Sequence, residues 1–118
     1  MATKPPMAVV ETAAFVASAA RRRVSETERL ALIIYLAANP EVGAVVPETG
    51  GVRKLRWALP GKGKSGGARV IYYYRNESIP LYALDIYAKS QKPNLSAAEK
   101  KAARKTVASI LEEHNRRK

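Results

Sequence analysis

The chain contains no cysteine and a single histidine. The first absence excludes a disulfide framework and thiolate metal sites, and the second leaves too few imidazoles for a zinc centre, so no metal and no cofactor are expected. A cysteine-free composition also suits a reducing compartment. Long apolar runs are missing too. The longest near the N-terminus, AAFVASAA, is too short to cross a bilayer, and its arginines follow it, whereas a secretory leader carries its basic residues first. The expected location is the cytoplasm, with no membrane partner. Acidic residues are scarce, 10 against 21 lysines and arginines, giving a net charge of +11 over 118 residues. That excess asks for an acidic partner. Because its densest part falls in expected strands and a loop rather than along an amphipathic helix, nucleic acid fits better than a membrane surface. Glu11, Glu26, Glu28 and Glu41 lie in capping or loop contexts and form no carboxylate pair of the kind that hydrolyses sugars.

An apolar fraction of 47% is that of a folded protein, and the length is that of one domain. Residues 1–6, with two consecutive prolines, read as a disordered extension, and residues 7–118 as the domain. MAVVE reads as a first strand. Thr12 is placed to cap a short helix through AAFVASAARRR, whose arginine triplet, Arg21 to Arg23, reads as charge complementing the helix C-terminus and exposed to solvent in preference to a direct RNA contact. Ser25 and Glu28 form a capping box, and Leu30, Ile33, Ile34 and Ala37 then recur at helical spacing until Asn39-Pro40. EVGAVVPETGG reads as a loop, followed by strands VRKLRWAL, ARVIYYYR and IPLYALDIYAK. A second capping box, Ser96 with Glu99, opens a C-terminal helix whose Ala103, Val107, Ile110, Leu111 and His114 share a face. The fold class is α+β: a twisted, mainly antiparallel sheet flanked by two N-terminal helices and a C-terminal helix.

Residues 50–74 carry Arg53, Lys54, Arg56, Lys62, Lys64 and Arg69 with no acidic residue among them. Strand alternation sends Leu55, Trp57 and Leu59 toward a core and leaves Lys54 and Arg56 together on the other face, where Arg69 of the next strand joins them if the register allows. Tyr73 shares the face of Arg69. On the last strand, alternation groups Tyr87 and Lys89 with Ala83 and Asp85, opposite an apolar face of Tyr82, Leu84 and Ile86. Tyr73 and Tyr87 are the candidates for stacking on a base. GKGKSGG is no nucleotide-triphosphate loop, since that spacing needs glycine at Ala58 and a helix afterwards. Lys62 and Lys64 there either grip phosphates or keep a hairpin tip soluble. His114 is read as a packing residue rather than a catalyst.

NPEVG, TGGVRKLRWA, GKGKSGGARVIYYY and IYAKS together resemble the RelE superfamily of bacterial type II toxins, most closely its HigB-like branch. The resemblance covers almost all of the chain after Met7. Two departures stand out: Glu48 where close relatives tend to have glycine, and Ser65 where a basic residue is common. The resemblance implies an endoribonuclease that cuts mRNA on the bacterial ribosome, inhibits translation without a metal, and is held inactive by a cognate antitoxin, a small helix-turn-helix HigA-like protein. It matches Lys54 and Arg56 to the basic strand positions, Arg69 to the strand arginine and Lys89 to the basic residue after the last strand. From charge and ring placement rather than the resemblance, Arg53, Lys62, Lys64, Tyr73 and Tyr87 are the candidate RNA contacts. The usual C-terminal tyrosine has no counterpart, and Asn94 to Ser96 occupy that region. RNA cleavage of this kind deprotonates the 2′-hydroxyl, holds an in-line geometry, stabilises the phosphate charge and protonates the 5′-oxygen. Lys54 is the candidate base, since crowding by like charge favours a neutral amine. Arg69 and Arg56 would hold the phosphate, and Lys89 would offset charge or protonate the leaving group. Two alternatives stay open on the sequence alone: a gyrase-poisoning toxin of the ParE kind, and an RNA-binding module without activity.

Overall fold

The computed structural model of the chain describes residues 6–58, 67–91 and 94–117. Hydroxyl caps set the helix starts. The Phe15 N–H donates to Thr12 Oγ1 (3.2 Å) and opens α1, Ala13–Arg21. Ser25 with Glu28 opens α2, Glu26–Ala38, and Ser96 with Glu99 opens α3, Ala97–Arg116, each by a reciprocal capping box that satisfies two orphan N–H groups. Around them run β1, Val9–Glu11; β2, Ala44–Val45; β3, Val52–Trp57; β4, Ala68–Tyr73; and β5, Leu81–Ala88. The strands form one sheet in the order β1-β5-β4-β3-β2. Only the β1–β5 pair is parallel. The architecture is thus α+β. The two-residue β2 lies in a segment that its glycine, proline and threonine mark as a loop; it is recruited by pairing with β3 (Ala44↔Lys54, Val45↔Arg53) rather than by any strand signal of its own.

Each sheet face has its own core. On one side Val70 and Tyr72 of β4 and Leu81, Ala83 and Ile86 of β5 pack under Phe15 and Ala19 of α1 and Leu32 and Leu36 of α2. On the other, Val52, Ile71, Tyr73 and Tyr87 pack under Val107 and Ile110 of α3. The face of α3 is the one that its spacing indicates. That of α2 is not: Leu30 is 56% and Ile34 60% exposed, while Leu32 and Leu36 are buried. The run LALIIYLAA is apolar almost all the way round, so helical spacing is met by more than one stripe, and docking against α1 and the sheet selects between them. Trp57 is half-buried at the rim of the first core, its ring tilted against Tyr35 with centroids 5.3 Å apart. Leu59, Lys62 and Lys64 lie outside the described residues.

Candidate active site

The register decides what the cations can do together. Arg56 lies directly opposite Arg69, and Arg69 directly opposite Tyr87, so β3, β4 and β5 contribute one side chain each to a row across the sheet. Lys54 pairs with Ile71, one pleat along, and stands diagonal to Arg69 on the same face. This face is the one that α3 covers, at the end where Val52 and Tyr73 lie beneath it; the row sits toward the other end.

Tyr87 reaches the row through a defect in its strand. Between Ile71/Tyr72 the pairing slips: Ile71 faces Asp85 and Tyr72 faces Ala83, leaving Leu84 as the extra residue of a bulge. Strict alternation would group Tyr87 with Ala83, which belongs to the α1–α2 core. Instead Ala83 and Ile86 are in that core, and Leu84 and Tyr87 pack with the α3 core. The alternation expected for β5 is corrected accordingly: Tyr87 meets Arg69 because the bulge reverses the facing of everything after it.

Arg69 is 8% exposed, yet no ion pair or side-chain hydrogen bond to it is formed among the described residues. Arg69 thus stands low in the sheet beside a second guanidinium, with no acidic side chain among the described residues to offset the two charges. The Lys54 Nζ donates to Asn94 Oδ1 (3.3 Å), tying the strand lysine to the segment before α3. Asn94 lies in the segment that stands where the resemblance expects the usual C-terminal tyrosine. Lys89 follows β5 in an exposed turn, and its N–H donates to the Gly67 carbonyl (3.2 Å), carrying the ladder one residue past the Ala68↔Ala88 pair.

Three expected RNA contacts are taken up by the fold itself. Arg53 points to the side opposite Lys54, and its Nη1 donates to the carbonyls of Glu41 (3.0 Å) and Gly43 (2.8 Å), so its guanidinium anchors the loop before β2. Tyr73 does share the face of Arg69 but is 1% exposed under α3, which leaves no ring surface for a base. Tyr87, 3% exposed, packs beside Arg69 as a support.

The start of β3 is fixed by the TGG turn. Thr49, fully buried, donates from Oγ1 to the Val46 carbonyl (2.7 Å) and accepts from the Val52 N–H (3.0 Å). Gly50 and Gly51 take φ of 80° and 112°, which side chains rarely adopt, and a Cβ on Gly50 would meet Val107 of α3 at 3.5 Å. Glu48 holds φ of 65° without being glycine, while its carbonyl accepts from Arg104 and its carboxylate lies 3.7 Å from Lys100. These contacts tie α3 to the turn that launches the cationic strand. On the far side, the Gly43 N–H donates to the Tyr72 hydroxyl (2.7 Å), which donates to the Pro40 carbonyl (2.9 Å), and burial pushes this phenol above its ordinary pKa.

The family model described as the RelE toxin of the RelE / RelB toxin-antitoxin system matches residues 7–118. The chain belongs to the RelE toxin family. It is therefore a toxin of the type II toxin–antitoxin class, whose members generally inhibit translation as endoribonucleases and are paired with an antitoxin. In this RelE-family chain no helix among the described residues is long and apolar enough to cross a membrane.

Proposed function

We propose that the chain is a ribosome-dependent mRNA endoribonuclease of the HigB-like branch, cutting by attack of the 2′-hydroxyl on the adjacent phosphate without a metal. The observation that carries this is the pair Arg56↔Arg69, in which the second guanidinium is buried without an anion. A phosphate placed there supplies the missing charge, and more strongly as negative charge accumulates in the transition state. Arg69, through two N–H groups, and Arg56 hold the scissile phosphate. Lys54, held by Asn94, is the base for the 2′-hydroxyl, and Lys89 offsets charge or protonates the departing 5′-oxygen. Lys62 and Lys64 are assigned as further contacts to the RNA backbone. The site presents no strong base, which is why the ribosome is assigned the task of setting the in-line geometry.

Expression without the antitoxin is expected to arrest growth and to cut messages within translated frames. Primer extension on a test message with and without its start codon is the measurement. Cuts confined to the translated message support the reading. Equal cutting of both contradicts ribosome dependence, and intact RNA with gyrase-linked DNA breaks would move the assignment to the ParE kind.

A further inference from the structure

Beside the row lies an opening that the proposed chemistry does not use. β1 pairs with β5 at Leu81, Tyr82 and Ala83, so the second half of β5 has no strand partner on that side among the described residues, and Ser18, toward the end of α1, bonds Asp85 there. Between them is a cleft of about 280 Å³ lined by Ser18, Arg21, Arg22, Asp85, Tyr87 and Gln91. Resting on the endoribonuclease reading, we propose that this cleft binds the RNA phosphate next to the one that Arg69 holds, with Arg21 and Arg22 as its donors.

The internal bonds of the cleft leave those donors available. Ser18 Oγ, buried, donates to Asp85 Oδ1 (2.6 Å), which also accepts from the Ile86 N–H (2.9 Å). The carboxylate that lines the cleft is thus engaged by its own neighbours. Arg21 Nη2 donates to the same Ser18 Oγ (3.0 Å), which holds one edge of its guanidinium at the cleft. Arg22 is half-buried, and its Nε is enclosed with no hydrogen-bond partner. An enclosed donor without an acceptor is a cost that a bound anion removes. The triplet therefore does more than meet the helix dipole in solvent: only Arg21 lies in the last turn of α1, and Arg22 is folded against the protein.

Continuity with the candidate active site comes through Tyr87, which lines the cleft and pairs with Arg69. Arg69 is one strand away, about 5 Å between backbones. In this proposal a strand whose phosphate sits on Arg69 crosses the edge of β5 to bring its neighbouring phosphate to Arg21 and Arg22 at the end of α1. An acidic side chain of a protein partner has similar chemistry, but cations on either side of Tyr87, Arg69 in the row and Arg21 and Arg22 at the cleft, favour a ligand whose charges repeat, as a nucleic-acid backbone's do.

The test is binding of 2′-O-methylated, uncleavable RNA oligonucleotides of increasing length, by fluorescence anisotropy over a range of salt. Wild type is compared with Arg21→Ala/Arg22→Ala, with Arg22→Gln as the milder variant, and with Arg69→Ala, each checked by thermal melting. Wild-type affinity should step up once the oligonucleotide is long enough to enter the cleft. The arginine variants should lose that step, about tenfold, with a salt slope shallower by about 0.7 for each phosphate no longer neutralised, and bind the shortest oligonucleotide as wild type does. Arg69→Ala should weaken every length. No step in wild type, or an unchanged step in both folded arginine variants, overturns the cleft while leaving the active site standing. So does a loss of antitoxin affinity with RNA binding intact. An Arg69→Ala protein that binds all lengths normally counts instead against the endoribonuclease reading.

Discussion

Two arginines directly opposite one another on neighbouring strands destabilise the sheet that carries them. Arg56 and Arg69 are such a pair, and the burial of Arg69 adds desolvation to repulsion. Their presence makes sense when a phosphate completes the arrangement. Geometry matters as well as charge: Arg69→Lys keeps the charge but loses the planar fork, and is expected to restore cleavage only poorly relative to Arg69→Ala in a ribosome-based assay. Wild-type rates in the lysine variant would rule out two-point contact. Tyr72 makes the opposite kind of residue-scale prediction, one about stability. Burial raises its folded pKa above the ordinary 10.0, so its contribution is fully present below that pH and is lost as pH rises through the folded value. Tyr72→Phe should lower stability near neutrality by about 1–3 kcal/mol, since the Gly43 N–H loses its acceptor. Its unfolding free energy should also fall less steeply above pH 10 than that of wild type; equal alkaline slopes would mean that the Tyr72 hydroxyl is not the group responsible.

At the scale of elements, the sequence reads well where local chemistry is decisive. Thr12, Ser25 and Ser96 cap helices because their oxygens match orphan N–H groups, and VRKLRW alternates because Leu55 and Trp57 face the first core while Lys54 and Arg56 stand on the other face. It reads poorly where tertiary packing chooses among equivalent options. The inward stripe of α2 is one case, and the facing of Tyr87 after the Leu84 bulge is another, since nothing in LYALDIYA marks an extra residue. Placing Tyr87 with the cations agrees with the structure, but through a bulge and not through the alternation that suggested it. The bond of Asn94 to Lys54 and the enclosure of Arg22 were hidden for a related reason: each depends on segments far away in the chain. Trp57 alternates toward the core as expected but reaches only its rim against Tyr35. Trp57→Ala should therefore cost about 2 kcal/mol, below the roughly 3–5 kcal/mol of a fully buried aromatic, by chemical denaturation. A loss above about 4 kcal/mol would mean that the ring carries more of the first core than its position indicates.

For the whole molecule, a net charge of +11 governs encounters before any contact forms. An antitoxin that covers the cationic face or its rim should associate quickly, with a rate that falls as salt rises. Stopped-flow association at two ionic strengths checks this. A rate indifferent to salt would direct attention to apolar contacts, for which the outward side of α2 offers exposed Leu30 and Ile34. The central claim is that the sheet face bearing Lys54, Arg56 and Arg69, with Lys89 in the turn after β5, cuts RNA rather than merely attracting it. It is tested most directly by measuring cleavage of a translated message and thermal melting on the same purified alanine variants at these four positions. All four should melt close to wild type, and Arg69→Ala should cut on the order of a hundredfold more slowly or worse, as expected when a donor to the developing phosphate charge is removed. Four folded variants that cut at the wild-type rate would contradict the claim and leave the face as a docking surface.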